Sequence, residues 1–219
     1  MSLRSLLAIT ILTSLLPAAL RAAPERWAAE IDALTRNDRD HPPPRGGVVF
    51  VGSSSIVGWK TLAADFPDFR VIQRGFGGSE LADSVHYAER VVLPYEPRAV
   101  VLYAGDNDLA NGKSPEAILE DFRAFHRKLH AALPATRIVY IAIKPSASRW
   151  KLRDQMIATN RLIADECSRD PRLRFVDVFT PMLNAHGEPR AELFVEDQLH
   201  LNAAGYALWT PLVAAQLRP

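Results

Sequence analysis

The chain has 219 residues, 48% hydrophobic and 23% charged, with formal net charge +1, a balance that suits one globular domain with a full core and excludes a disordered or fibrous chain. Both charge signs run throughout and no basic block is interleaved with aromatics, so nothing calls for a nucleic-acid partner. Cys167 is the single cysteine, which excludes an internal disulfide and reads as a small buried side chain rather than a reactive thiol.

In chain order, Arg4 precedes the apolar run "LLAITILTSLLPAAL" and then the small residues of "RAAP", the charge, core and small-residue order of a secretory signal peptide. The run is too short, and too soon broken by Pro17, for a membrane span. Residues 1–23 are therefore expected to be a leader cut after Ala22 or Ala23, directing the protein to the periplasm or the medium with no stable membrane span afterwards. Loss of Arg4 and Arg21 takes the formal charge from +1 to −1. Residues 24–219 form a single expected domain, entered through 24–47. There "PERWAAEIDALTRNDRD" reads as an amphipathic helix and "HPPPRGG" as a stiff connector.

Apolar runs then alternate with helical patterns. Strands are expected at 48–52, 70–73, 99–104, 137–143 and 173–178. The clearest helix starts at "SPEAILEDFRAFHRKLHAALP": Ser114 caps it, Pro115 suits its first turn, and Ile118, Phe122, Phe125, Leu129 and Leu133 recur at three- and four-residue steps. His126 and His130 lie four apart on it, but without a third ligand in view they are read as a solvated face rather than a metal site. Further helices are expected over 150–168 and over 203–216, the latter kinked at Pro211. Near-continuous apolar strands separated by helices imply a parallel sheet covered on both faces. The expected fold is a three-layer α/β/α sandwich with a five-stranded parallel sheet.

In such sheets chemistry gathers at the carboxyl ends of the strands, which singles out 52–55, 75–79, 105–108 and 144–150. In "VVFVGSSSIVGW" the first strand ends in one glycine and three serines, which alone is compatible with an ordinary turn. The tail "FVEDQLHLNAAGY" places Asp197 and His200 three apart, so that the carboxylate can fix the imidazole tautomer and His200 can act as a general base. A serine hydroxyl needs such a base to become nucleophilic, and it needs N–H donors for the developing oxyanion. "RGFGGSE" supplies glycines that let a backbone N–H approach without a side chain in the way, and "YAGDNDL" supplies the Asn107 amide.

These ordered pieces, "FVGSSSI", "RGFGGSE", "AGDND" and "DQLHLN", resemble the SGNH (GDSL-type) serine hydrolases, and they span most of the chain from the first strand onward. The resemblance implies a flavodoxin-like SGNH hydrolase fold, with Ser54 as nucleophile completed by His200 and Asp197. It implies an oxyanion hole from the N–H groups of Ser54 and Gly78 and the side chain of Asn107. Two positions depart from the family pattern: Ser53 replaces the usual aspartate before the nucleophile, and Ser79 replaces an acidic residue after the oxyanion glycine. Both hydroxyls are expected to bond locally, with Ser53 and Ser55 holding the turn. A Gly-x-Ser-x-Gly nucleophile elbow fits poorly, because Ile56 stands at its final glycine.

Lys144, Arg149 and Trp150 in "KPSASRW" are candidate substrate-binding residues at the lip of the pocket, suited to a sugar face or an anionic group; the competing reading is a loop that seats the next helix. No metal and no cofactor are expected. The expected activity is hydrolysis of short acyl esters, including acetyl groups on carbohydrate, with a small-molecule or carbohydrate ester as substrate. Two alternatives are a non-catalytic exported carbohydrate-binding or scaffold protein on the same fold, and a thioesterase or lysophospholipase using the same triad.

Overall fold

The computed structural model describes residues 24–38 and 40–218, so the expected leader, 1–23, lies outside the described residues. Five short strands form one parallel sheet: β1 Val48–Gly52, β2 Val71–Gly75, β3 Ala99–Tyr103, β4 Arg137–Ile141 and β5 Leu173–Val176, in the spatial order β2-β1-β3-β4-β5. The chain leaves β1 toward β2 and then crosses back to place β3 on the other side of β1. The resulting switch point lies between β1 and β3, where open parallel sheets of this kind bind ligands at the carboxyl ends of their strands.

Every residue of β1 and β3 is buried because helices cover both faces. Val49, Val51, Val100 and Leu102 face a core built with Ile31, Tyr87, Val91, Ile118, Phe122 and Ile163. Those side chains come from α1 Ala28–Thr35, α4 Leu81–Val91, α6 Pro115–Ala132 and α7 Arg153–Cys167. Val48, Phe50, Val101 and Tyr103 alternate to the other face, against Trp59, Phe66, Tyr206, Trp209 and Val213. That face is closed by α8, Ala203–Leu217, and by two single turns, α2 Ser54–Val57 and α3 Leu62–Asp65; a last short helix, α5, covers Asp106–Ala110. Burial of each large aliphatic or aromatic side chain here stabilises the fold by roughly 1.5–3 kcal/mol.

The expected sheet and layers are present, with shifted boundaries. β4 stops at Ile141 rather than at 143 because the Asn160 side chain on α7 takes both polar groups of Ile143. Its Oδ1 accepts from the Ile143 N–H at 2.8 Å, and its Nδ2 donates to the Ile143 carbonyl at 2.9 Å. The N-terminal helix divides into Ala28–Thr35 with 3-10 turns on either side. Pro211 lies inside α8, which continues to Leu217. Helix α4 lies where no helix was expected, and it buries two polar side chains, Asp83 and Ser84, within its apolar stripe. Its start is marked by a capping box of two acids, Glu80 and Asp83. No helix among the described residues is long and apolar enough to cross a membrane.

Candidate active site

The switch point collects all four loops. Gly52 ends β1 at φ +134°, where a Cβ would lie 1.9 Å from the Tyr103 carbonyl oxygen. Only glycine lets the backbone turn there while Ser53 N–H still bonds that oxygen at 3.0 Å. The chain enters α2 at Ser54, and the turn is held from outside. Tyr206 Oη on α8 donates to the Ser55 carbonyl at 2.9 Å, and the Gln73 side chain on β2 donates to the carbonyl of Trp59 at 3.1 Å.

Ser53 and Ser55 do not hold this turn through their hydroxyls. Both side chains are buried without a hydrogen-bond partner, and the Ser79 hydroxyl is in the same state. The expected local bonds are not made because neighbouring backbone groups already have partners: the Ser53 carbonyl accepts from the Ile56 N–H at 2.9 Å, the Ser55 carbonyl from Tyr206 Oη and the Ser79 carbonyl from the Asn107 amide.

From the far end of the chain, His200 Nε2 lies 3.0 Å from Ser54 Oγ, and Asp197 Oδ2 lies 2.5 Å from His200 Nδ1. Asp197 Oδ1 also accepts from the backbone N–H groups of Leu199 and His200, both at 2.9 Å. A tight Asx turn thus presents the imidazole, with Gln198 at φ +53°. The His200 ring and those N–H groups hold the Asp197 carboxyl down at about 2, so it remains an anion beside the imidazole at ordinary pH. The loop is pinned by Ser148, whose N–H donates to the Gln198 carbonyl at 3.3 Å.

Opposite the serine lie the glycine loop and α5. Gly78 takes φ +75°, and the preceding Gly77 N–H donates to Glu30 Oε1 on α1 at 3.3 Å. Asn107 is buried and donates through Nδ2 to the Ser79 carbonyl at 3.0 Å. Asp108 clamps the same two loops: its carboxylate accepts from the Leu81 N–H at 3.2 Å and from Lys113 Nζ at 2.9 Å. Burial pushes the Asp108 carboxyl up to about 6 against the pull of Lys113. Ser54, His200, Asp197, Asn107 and the Gly78 loop are thereby brought to one edge of the sheet.

The expected basic and aromatic lip is not what the loop after β4 forms. Lys144 is 1% exposed; its Nζ lies 3.0 Å from both Tyr103 Oη and Asp106 Oδ2, beneath the site rather than at its rim. An ammonium aimed inward from a strand end needs such partners to offset its loss of water. Arg149 is also drawn inward, to Asp106 Oδ2 at 3.2 Å and Asn107 Oδ1 at 3.0 Å. Trp150 stacks on Phe179 with centroids 6.3 Å apart, which matches the competing reading of a loop that seats a helix. Burial raises the Asp106 carboxyl, but Lys144 and Arg149 more than offset this and hold it below its ordinary value.

Sequence reasoning missed the Arg149–Asn107, Tyr206–Ser55 and Glu30–Gly77 contacts. Each joins residues too far apart in the chain to leave a local signal. His126 and His130 are not on a solvated face either: His126 Nε2 lies 3.5 Å from Glu166 Oε1 and His130 Nε2 lies 3.0 Å from the Thr136 carbonyl. Burial lowers both imidazoles. Among the described residues no group of three or more His, Cys, Asp or Glu is arranged to hold a metal. Cys167 is buried, which pushes its thiol up to about 12.

A model of the GDSL-like Lipase/Acylhydrolase family matches residues 34–208. No curated protein matches in sequence. Solved structures similar to this one include a Streptococcus pneumonia protein described as a candidate platelet activating factor, at TM-score 0.78 and 18% identity over 89% of this chain and 96% of that one. A GDSL-like lipase from Bacteroides thetaiotaomicron superposes at TM-score 0.66 and 20% identity, over 89% and 96% of the two chains. A catalytic mutant of an acetylxylan esterase from Geobacillus stearothermophilus does so at 0.62 and 15%, over 78% and 94%. At these identities the likeness shows a shared fold.

Proposed function

The chain belongs to the GDSL-like lipase/acylhydrolase family and is a hydrolase acting on ester bonds, and on that premise we propose that it works through an acyl-enzyme at Ser54. His200 Nε2 removes the proton as Ser54 Oγ attacks the ester carbonyl, and the imidazolium formed is stabilised by the Asp197 carboxylate. The oxyanion is received by the N–H groups of Ser54 and Gly78 and by Asn107 Nδ2. Collapse expels the alcohol, which leaves with the proton held by His200. Water, deprotonated by the same imidazole, then attacks the acyl-enzyme and releases the acid, returning the proton to Ser54.

The observation that carries this reading is the 3.0 Å contact between Ser54 Oγ and His200 Nε2 across 146 residues of chain, with Asp197 behind the ring. A hydroxyl within hydrogen-bond reach of an oriented imidazole is the arrangement that activates a serine. The substrates proposed are short acyl esters, including acetyl groups on carbohydrate; the fold shared with an acetylxylan esterase is in keeping with that class. The signal-peptide pattern read in residues 1–23 supports the further proposal that the enzyme acts outside the cytoplasm, in the periplasm or the medium.

The test is nitrophenol release from a short-chain nitrophenyl ester together with fluorophosphonate labelling. Ser54→Ala is expected to abolish both, and His200→Ala to suppress labelling. Undiminished turnover in Ser54→Ala rejects the assignment. A panel of acyl chain lengths and of acetylated sugars then separates the acetylesterase from a thioesterase or lysophospholipase.

A further inference from the structure

Asn107 is oriented from both ends of its amide. A carboxamide offers two N–H donors and one carbonyl acceptor. Nδ2 gives one hydrogen to the Ser79 carbonyl at 3.0 Å, while Oδ1 accepts from Arg149 Nη2 at 3.0 Å. Rotating the amide by half a turn would set Oδ1 against the Ser79 carbonyl and NH₂ against the guanidinium, two repulsive contacts. Only one orientation therefore survives, with one Nδ2 hydrogen uncommitted.

The guanidinium is itself fixed. Nη1 lies 3.2 Å from Asp106 Oδ2, and the same oxygen is 3.0 Å from Lys144 Nζ, which also donates to Tyr103 Oη at 3.0 Å. The Lys144 and Asp106 side chains are 1% and 5% exposed and that of Arg149 is 19% exposed. A polar chain thus runs from the end of β3, through the loop after β4, to Asn107. We propose that Arg149 is a positioning residue for the oxyanion hole. Its Nη2 donates to the Asn107 carbonyl while Nη1 stays paired by charge with Asp106 at 3.2 Å, holding the free Nδ2 hydrogen toward the substrate oxygen. By drawing charge toward Oδ1 it also makes that hydrogen a stronger donor, as linked hydrogen bonds polarise one another. Lysine cannot replace it, because one ammonium lacks the planar fork that spans both partners.

This inference rests on the reading of Asn107 as an oxyanion donor, so the experiment separates the two. Values of kcat and KM are measured on p-nitrophenyl acetate, a neutral ester, for the wild type, Arg149→Ala, Arg149→Lys, Asn107→Ala and the double variant Arg149→Ala/Asn107→Ala. Removal of one oxyanion donor lowers kcat by about 10²–10³-fold, and Arg149→Ala is expected to forfeit about 10-fold or more of that at little change in KM. The double variant is expected to be no slower than Asn107→Ala alone, since the arginine has nothing left to orient. Arg149→Lys keeps a cation beside Asp106, which preserves folding, and it is expected to lose kcat as well. Multiplying losses in the double variant, or a raised KM at unchanged kcat, overturn the role of Arg149 while leaving the Asn107 assignment intact. Unchanged kcat in Asn107→Ala, with Ser54→Ala inactive, overturns both.

Discussion

Lys144→Met removes the cation beneath the site while keeping a flexible side chain of comparable length. In the native protein its Nζ meets Asp106 Oδ2 and Tyr103 Oη, both at 3.0 Å, in a site where the lysine is 1% exposed. Breaking a buried ion pair by deleting one partner costs about 3–5 kcal/mol, because the other charge remains buried. Asp106 keeps Arg149 at 3.2 Å, so the expected loss lies at the lower end, about 3 kcal/mol. For a domain of this size each kcal/mol shifts Tm by roughly 2–4 °C.

The loss should also depend on pH with a defined sign. In the wild type the Asp106 carboxyl is held below its ordinary 3.8, so its stabilising contribution is complete above that value and fades only as pH falls through the lower native one. In Lys144→Met burial dominates and the carboxyl titrates above 3.8. The native variant then binds a proton that the unfolded chain does not, and it regains stability on acidification. The gap between the two proteins, measured by urea melts at pH 7 and at about pH 4, is expected to narrow as pH falls. A loss under about 1 kcal/mol at pH 7, well short of the cost of breaking a buried pair, or a gap that stays constant to pH 4, refutes the placement of a charged pair there.

Asp197→Asn keeps an Oδ1 acceptor for the N–H groups of Leu199 and His200, so the loop should persist in circular dichroism and thermal melts. Loss of the imidazole's carboxylate partner should lower kcat by about 10³–10⁴-fold, and a loss below about 10-fold would remove Asp197 from the mechanism. Gly52→Ala places a Cβ 1.9 Å from the Tyr103 carbonyl oxygen and should sharply lower Tm and abolish fluorophosphonate labelling together. Gly112→Ala, at φ +86° in open space, should cost only the left-handed strain of about 1–2 kcal/mol and leave activity unchanged. Equal effects of the two glycine changes would contradict the close approach of β1 and β3.

Much of this protein is legible in one dimension. The five strands announce themselves as apolar runs because a sheet covered on both faces demands them. The loops around Ser54, Gly78, Asn107 and His200 follow in order because each carries its chemistry within a few adjacent residues. Asp197 and His200 sit on one turn, and Gly52 immediately precedes the serine turn, so spacing along the chain already implies proximity in space. Where long side chains point is another matter. Lys144 and Arg149 read equally well as a solvent-facing lip. Only the assembled sheet, with the end of β4 set beside Asp106 at the end of β3, turns both of them inward. The unbonded hydroxyls of Ser53, Ser55 and Ser79 and the serine-interrupted face of α4 were decided in the same way. The energy of a charge or hydroxyl depends on what other segments bring against it, and those segments lie dozens of residues away.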